Sequence, residues 1–509
     1  MSDVSQKLAD SLEQLQQLQG SGVVAIKSEQ LSRVHRERLL KHGFIREVIR
    51  GWYIAAMPDE KPGDSTSWYS CFWDFCAAYL SARFDSCWCL SPEQSISLHI
   101  GDKTVPQQLL VRTPNGNNKP TAFLHNTSIF DVRLSMPELK QIENVEGLNV
   151  YSLAAALVYC SPNHFQKAPI QLRTALSMVA DASDLLFVLL AGNHSVIAGR
   201  LAGAFRNIGR DLIADNILKG MQAADFKVQE QDPFAEKLQL SFGRREVSPY
   251  VNRIRLMWAQ MREAVIAHFP DNLNPVIHIE TYMAEVEDKY VTDAYHSLSI
   301  EGYRVTREFI GLVRSGQWQA DGADENKKHL DAMAAKGYWD AFLQVKKAVR
   351  AVLEGKKPGE VLELTHSDWY LALFGPSVAA GIIKPSDLAG YRTGPVYIRQ
   401  SMHTAPNREA VRDMMPTFFD LLAEEENAAV RVVLGHFVFV YIHPYFDGNG
   451  RIARFIMNLM MASGGYPWTV VPVERRSEYM QALEAASVQQ DIVPFTQFLA
   501  SLLKAKAMD

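Results

Sequence analysis

Apolar residues recur at helical spacing over residues 1–20, where Leu8, Leu12, Leu15 and Leu18 share a face opposite polar positions, and Gly20-Ser21-Gly22 ends the run. The pattern then shortens. An apolar stretch at 23–26 leads to a polar Ser-Glu-Gln-Leu at 28–31, to Ser32 opening 33–42, and to a stop at Gly43. Residues 44–50, Gly51 and 52–54 follow. These signals predict a short helix at 28–31, a turn, a second helix over 33–42 and a β-hairpin turning at Arg50-Gly51. That is the outline of a winged helix-turn-helix. Residues 96–100 and 108–111 read as strands, Asn115-Gly116-Asn117-Asn118 predicts a turn, and 170–210 reads as helices. The aromatic-rich stretch 68–79 reads as core. The polar stretch 227–233 is the expected linker, and from Pro249 helical periodicity dominates, except near 391–405. The fold expected is mainly α. A winged helix-turn-helix (1–60) and an α/β middle region (61–230) precede an all-helical C-terminal region (231–509) that carries a small β-hairpin.

Length supports more than one domain, because a single core rarely grows past about 250–300 residues and the chain has 509. Hydrophobic residues at 47% and charged residues at 21% exclude a mostly disordered chain. The net charge of −5 excludes a chain-wide field for nucleic acid, so any basic surface must be local. Such a surface is predicted over 27–50, where Lys27, Arg33, Arg36, Arg38, Lys41, Arg46 and Arg50 outnumber Glu29, Glu37 and Glu47. Cations on a recognition helix neutralise phosphates and reach base edges, so Arg33, Arg36, Arg38, Lys41, Arg46 and Arg50 form a candidate DNA face. The five cysteines are few and odd in number and lack zinc spacing, as expected of free thiols in a reducing cytoplasm. The polar start predicts no secretory signal, and the most apolar windows, 185–191 and 432–442, are too short for a membrane span.

The chemistry concentrates in His443-Pro444-Tyr445-Phe446-Asp447-Gly448-Asn449-Gly450-Arg451-Ile452-Ala453-Arg454. An apolar helix runs into this segment and Pro444 resists its continuation. Gly448-Asn449-Gly450 can expose successive backbone N–H groups at the start of a second helix, which makes an anion site. Arg451 and Arg454 oppose the helix dipole by some tenths of a kcal/mol each, which makes sense if an anion such as polyphosphate fills the space between them. Asp447 offers a hard oxygen ligand for Mg²⁺ beside bound phosphates. His443 is the one base in the loop that titrates near neutrality. Together these residues predict phosphoryl or nucleotidyl transfer.

The segment resembles the signature of Fic-domain proteins, His-x-Phe-x-Asp/Glu-Gly-Asn-Gly-Arg-x-x-Arg, with Tyr445 where phenylalanine is usual. The Fic-like region spans about 250–509, with its core at about 340–509. The resemblance implies transfer of AMP from ATP to a protein hydroxyl, with His443 as general base and Mg²⁺ on Asp447. It implies a phosphate cradle at Gly448, Asn449 and Gly450, with Arg451 and Arg454 at the phosphates and Arg454 meeting the γ-phosphate. It further implies a target-docking flap at Val396, Tyr397, Ile398 and Arg399, which would pair by backbone bonds with the target segment. Tyr479 and Met480 match the wall of the adenine pocket. The stretch Ser297-Leu298-Ser299-Ile300-Glu301-Gly302 ends a helix expected over about 282–302 and resembles the family's inhibitory motif, so that Glu301 would pair with Arg454 in place of the γ-phosphate. The stretch from Val24 to Tyr53 resembles the N-terminal domain of AbiEi-type antitoxins, which implies a DNA-binding autoregulator.

The expected partners are a protein with a Ser, Thr or Tyr hydroxyl, DNA at the N-terminal helix, and a second copy of the chain as a homodimer; no membrane is expected. Two alternatives remain open: an antitoxin-like regulator with a sensory or silenced Fic region, or a transferase that uses another donor or removes AMP.

Overall fold

A computed structural model describes residues 2–60, 64–235, 248–271, 278–317, 325–388 and 390–505. Residues 506–509, at the end of the expected core, lie outside the described residues. The chain divides into two compact units. One comprises Met1–Arg253 with Tyr397–Thr404, the other Ile254–Val396 with Ala405–Asp509.

The first unit opens with α1 (Ser2–Gly20), β1 (Ile26–Lys27), α2 (Arg33–Lys41), β2 (Ile45–Ile49) and β3 (Trp52–Ala55). The strands form one antiparallel sheet in the order β1-β3-β2. Ser32 starts α2 by accepting the N–H of His35. Gly51, at φ 82°, makes the hairpin turn that its position predicts. The short helix expected at 28–31 is absent. The Gln30 side chain accepts the N–H of Lys27 at 2.7 Å, and the Gln30 N–H closes a turn on the Lys27 carbonyl at 3.0 Å. Local bonding of this kind competes with helix formation.

Next come α3 (Thr66–Phe84), β4 (Cys89–Leu90), α4 (Pro92–His99), β5 (Gln108–Thr113), β6 (Pro120–Ala122), β7 (Ser128–Arg133), β8 (Ile142–Val145) and β9 (Leu148–Tyr151). The four-stranded sheet runs β4-β5-β7-β6, with β5 parallel to β7. The strand predicted at 108–111 is β5, whereas 96–100 lies on α4. There Ser91 caps the helix by accepting the N–H of Gln94 at 3.2 Å, and Pro92 occupies its first turn. The helix start signal overrides the alternation Ile96-Ser97-Leu98. The aromatic stretch is α3, whose Trp68, Phe72 and Phe75 are fully buried.

Helices α5 (Leu153–Tyr159), α6 (His164–Lys167), α7 (Pro169–Met178), α8 (Ser183–Ala191), α9 (Ser195–Asn207) and α10 (Asp211–Ala223) share a second core. The expected linker is not a free tether. It crosses α9, where the Gln231 N–H bonds the Gly199 carbonyl at 3.1 Å. A Cβ at Gly199 or Gly203 would stand 1.9 or 2.2 Å from a carbonyl oxygen of this strap. The compact unit therefore extends past residue 230 to Arg253.

The second unit is helical: α11 (Pro249–His268, from Ile254 onward), α12 (Ile279–Ile300), α13 (Arg307–Arg314), α14 (Glu325–Leu353), α15 (Pro358–Ala379), α16 (Arg408–Glu424), α17 (Ala428–Ile442), α18 (Asn449–Ser463), α19 (Arg476–Val488) and α20 (Val493–Ala505). Helix α14 packs along α15 and α17 along α18. Helices α17 and α18 are buried almost all round, as expected of central helices, α17 with apolar side chains and α18 with Arg451 and Arg454 among them. No single described helix is long and apolar enough to cross a membrane.

Candidate active site

The α17–α18 connection builds the site. Asn427 caps α17 by accepting the Val430 N–H at 3.1 Å. The helix ends at His443, which adopts the left-handed conformation (φ 52°, ψ 59°) and donates its N–H to the Phe439 carbonyl at 3.0 Å. Pro444 follows and cannot continue the helix. Tyr445 is buried and stacks on Tyr370 at 4.0 Å and 8°, so the tyrosine fills an aromatic slot. Asn449 locks the loop with its side chain, accepting the Tyr445 N–H at 2.9 Å and donating to the Tyr445 carbonyl at 2.8 Å. The amide expected in the phosphate cradle is thus a brace for the loop. What Asn449 offers an anion is its backbone.

Gly448 sits at φ 80° immediately before α18, and a Cβ there would stand 2.8 Å from the Phe374 ring. Both the conformation and the space require glycine. No side chain caps α18, so its first N–H groups face the loop with the positive end of the helix dipole.

His443 Nδ1 lies 3.1 Å from the Val440 carbonyl. A carbonyl only accepts, so Nδ1 carries the proton and Nε2 keeps its lone pair. Burial pushes the imidazole down to about 4, with Arg392 adding to the effect; the bond to Val440, Glu301 and Asp447 oppose it. The ring is therefore neutral at physiological pH.

Arg451 is buried and donates Nη2 to Asp447 Oδ2 at 3.2 Å. Its guanidinium lies over the rings of Phe374 (4.9 Å) and Tyr303 (5.4 Å). Arg454 is also buried. It donates Nε to Ser297 Oγ (2.9 Å) and Nη2 to the Ser297 carbonyl (3.1 Å) and Glu301 Oε1 (2.7 Å). Arg451 Nε and Arg454 Nη1 are buried without a hydrogen-bond partner among the described residues. Two orphaned guanidinium donors beside open helix amides mark an anion site.

The helix predicted over about 282–302 is α12. It ends with Glu301 as its C-cap and Gly302 at φ 94°. Glu301 Oε1 would lie 2.5 Å from a Cβ at Gly450, so the carboxylate rests directly on the glycine turn. Burial pushes the Glu301 carboxyl up, but Arg454 and then Arg451 hold it below its usual range. The structure thus brings Ser297, Glu301, Gly450, Arg451 and Arg454 together. Tyr479, expected at the adenine wall, is buried, and its hydroxyl bonds the neutral His436 Nε2 at 2.8 Å. Met480 beside it is half-buried.

Asp447 fits a magnesium ligand. Its carboxylate is exposed, and its oxygens meet only the Gly448 N–H and Arg451. Among the described residues no group of three or more His, Cys, Asp or Glu could hold a metal. Such a site would need phosphate oxygens to complete it, as Mg²⁺ sites commonly do.

The expected flap carries a single antiparallel bridge, Tyr397 with Thr404, in place of a ladder. Gln400 at φ 61° and the Ser401 N–H to the Ile398 carbonyl make its tip a tight turn. Val396 precedes the bridge, Tyr397 is 41% exposed, and Arg399 pairs with Asp64 within the first compact unit.

The candidate DNA face is less uniform than its charge suggests. Arg36 donates to the Ser28 carbonyl, Arg38 to the Lys7 carbonyl and Ser11, and Arg46 pairs with Glu60. Those three brace the N-terminal elements. Lys41 and Arg50 are exposed, and exposed Arg33 pairs with Glu37.

The sequence reading missed three residues. Tyr303 follows Glu301-Gly302 and covers Arg451. Asp293 is buried one turn before Ser297, accepts the Tyr338 hydroxyl at 2.7 Å and is pushed up to about 6 by burial. Arg392 is buried beneath His443. Only Tyr303 had a usable signal, its adjacency to Glu301.

Comparison with known proteins places this geometry. Residues 372–461 match the profile of the Fic/DOC family. Over 220 residues the chain is 29% identical to the protein adenylyltransferase Fic of Drosophila willistoni, covering 42% of this chain and 40% of that protein. The match to the counterpart from Drosophila virilis is also 29%, covering 42% and 41%. The chain thus spans about two fifths of the length of these curated relatives. Among solved structures, a Fic-1 fragment from C. elegans aligns with a TM-score of 0.37 and 19% identity, covering 67% of this chain and 95% of that fragment. With the His443–Arg454 loop on the α17–α18 connection and the family match laid over it, the chain carries a Fic domain at residues 372–461.

Proposed function

We propose that this protein transfers AMP from ATP to a hydroxyl side chain of a target protein and that Glu301 restrains the reaction. The observation that carries this reading is the Glu301 carboxylate seated on the Gly450 turn against Arg454, beside the unpartnered donors of Arg451 and Arg454. A carboxylate held there stands in for an anion that binds there.

In the active arrangement the triphosphate takes the place of Glu301. The α18 amides and Arg454 hold its phosphates, the role preorganised donors play in phosphoryl-type transfer. His443 Nε2 accepts the proton of the target hydroxyl. The hydroxyl oxygen bonds the α-phosphorus, the α–β bridge breaks, and pyrophosphate leaves. Asp447 and phosphate oxygens would hold Mg²⁺, which supplies charge neutralisation at the leaving phosphates. Residues 396–399 would align the target segment by backbone pairing.

The curated relatives are named adenylyltransferases, which favours ATP as the donor. The test is label transfer from α-labelled ATP, UTP and GTP with Mg²⁺ in a lysate, using Glu301→Gly and Glu301→Gly/His443→Ala. Labelling from ATP that His443→Ala abolishes supports the reading; no His443-dependent labelling refutes it.

For the N-terminal elements we infer a winged helix that contacts DNA through Arg33, Lys41 and Arg50. The exposure of these three and the Gly51 hairpin support that reading. The five free thiols support a cytoplasmic setting.

A further inference from the structure

Arg392 is 1% exposed, yet among the described residues no carboxylate is a hydrogen-bond partner of it. Its guanidinium donates only to backbone carbonyls. Nε bonds the His443 carbonyl at 2.7 Å and Nη1 the Gly394 carbonyl at 3.1 Å. Nη2 bonds the Pro406 carbonyl and, at 3.4 Å, that of Ile442. The Arg392 N–H adds a bond to the Pro444 carbonyl at 2.9 Å. Burying a cation without a counter-charge is costly, and here burial pushes the guanidinium down to about 10.

Two features offset that cost. The carbonyls of Ile442 and His443 are the negative end of α17, where a cation is favoured. The planar fork also satisfies acceptors from three separate backbone segments at once, which a lysine ammonium cannot do. Those segments are the catalytic turn (442–444), the residue entering the flap (Gly394) and the residue leaving it (Pro406).

We propose that Arg392 is a positioning residue that ties the two feet of the flap, Gly394 and Pro406, to the backbone of His443, because one side chain bonds all three carbonyls. This rests on the transferase reading above. In-line attack needs the acceptor hydroxyl held to a fraction of an ångström relative to the base, and two elements hung independently on loops would not provide that. Among the described residues the Arg392 side chain bonds only backbone carbonyls, so it acts through the backbone of the segments it holds.

The test uses the full chain with Glu301→Gly, alone and with Arg392→Lys or Arg392→Met. Arg392→Lys keeps the charge and most of the volume, so it isolates the fork. Three measurements are made: self-labelling from α-labelled ATP, ATP affinity by calorimetry, and amide hydrogen exchange by mass spectrometry. The expected result is a tenfold or greater loss of self-labelling for both variants, with ATP affinity within twofold of the parent. Exchange is expected to rise together in peptides covering 392–407 and 440–446 while 449–463 stays protected. Full activity in Arg392→Lys, or loosening of one segment without the other, overturns the proposal. Failure of the Glu301→Gly parent to label would refute the transferase reading instead, and the exchange data would still decide whether Arg392 couples the two segments.

Discussion

Removing the Glu301 charge while keeping its shape is the most direct probe of the restraint. Glu301 Oε1 meets Arg454 Nη2 at 2.7 Å, and 27% of the glutamate side chain is exposed against 4% of the arginine. A charge-assisted hydrogen bond contributes about 1.5–3 kcal/mol. Partial exposure of the carboxylate discounts this to about 1–2 kcal/mol. Glu301→Gln is therefore expected to raise the rate of AMP transfer about tenfold, since about 1.4 kcal/mol is one decade. Glu301→Gly also clears the space over Gly450 and is expected to give about 100-fold, because the triphosphate then meets neither charge nor bulk. The same change leaves buried Arg454 with Ser297 as its remaining bonded partner. The thermal midpoint of Glu301→Gly should therefore fall without nucleotide and recover when ATP is added. Initial rates with labelled ATP and melting curves with and without ATP supply both numbers. A Glu301→Gln variant as inert as the parent, beside an active Glu301→Gly, would show that bulk and not charge imposes the restraint and would refute this reasoning.

Two further outcomes follow from the same site. Tyr303 lies over Arg451, so Tyr303→Ala should release part of the restraint, raising labelling about two- to fivefold as expected for the loss of about 0.5–1 kcal/mol of cation–π contact, while Tyr303→Phe should stay near the parent; label incorporation checks both. The His443 pKa lies below its unfolded value, so the folded chain binds fewer protons between about 6.5 and 4. Protonation of the unfolded state makes its contribution to stability fall as pH drops through that window, and His443→Gln should flatten that part of a Tm-versus-pH curve.

Much of the site was legible in one short segment because its constraints are local. A proline after a helix, glycines at the cap and in the first turn of the next helix and arginines one turn apart fix where amides and cations can lie, whatever surrounds them. The end of α12 at Glu301-Gly302 was legible for the same reason. Local signals also decided α4, where Ser91-Pro92 outweighed an alternating apolar pattern.

What depends on residues far apart in the chain was decided by packing alone. Nothing near Arg392 announces that its fork will gather carbonyls from three segments. Nothing in the basic count over 27–50 shows that Arg36, Arg38 and Arg46 are spent bracing their own domain. The polar strap at 227–233 reads as solvent-facing until the glycines of α9 admit its backbone. Sequence by itself determined which groups can do chemistry, because donors, charges and backbone freedom belong to residue types. Tertiary structure decided which of those groups are occupied, because occupancy requires two distant segments to meet, as Glu301 meets Arg454.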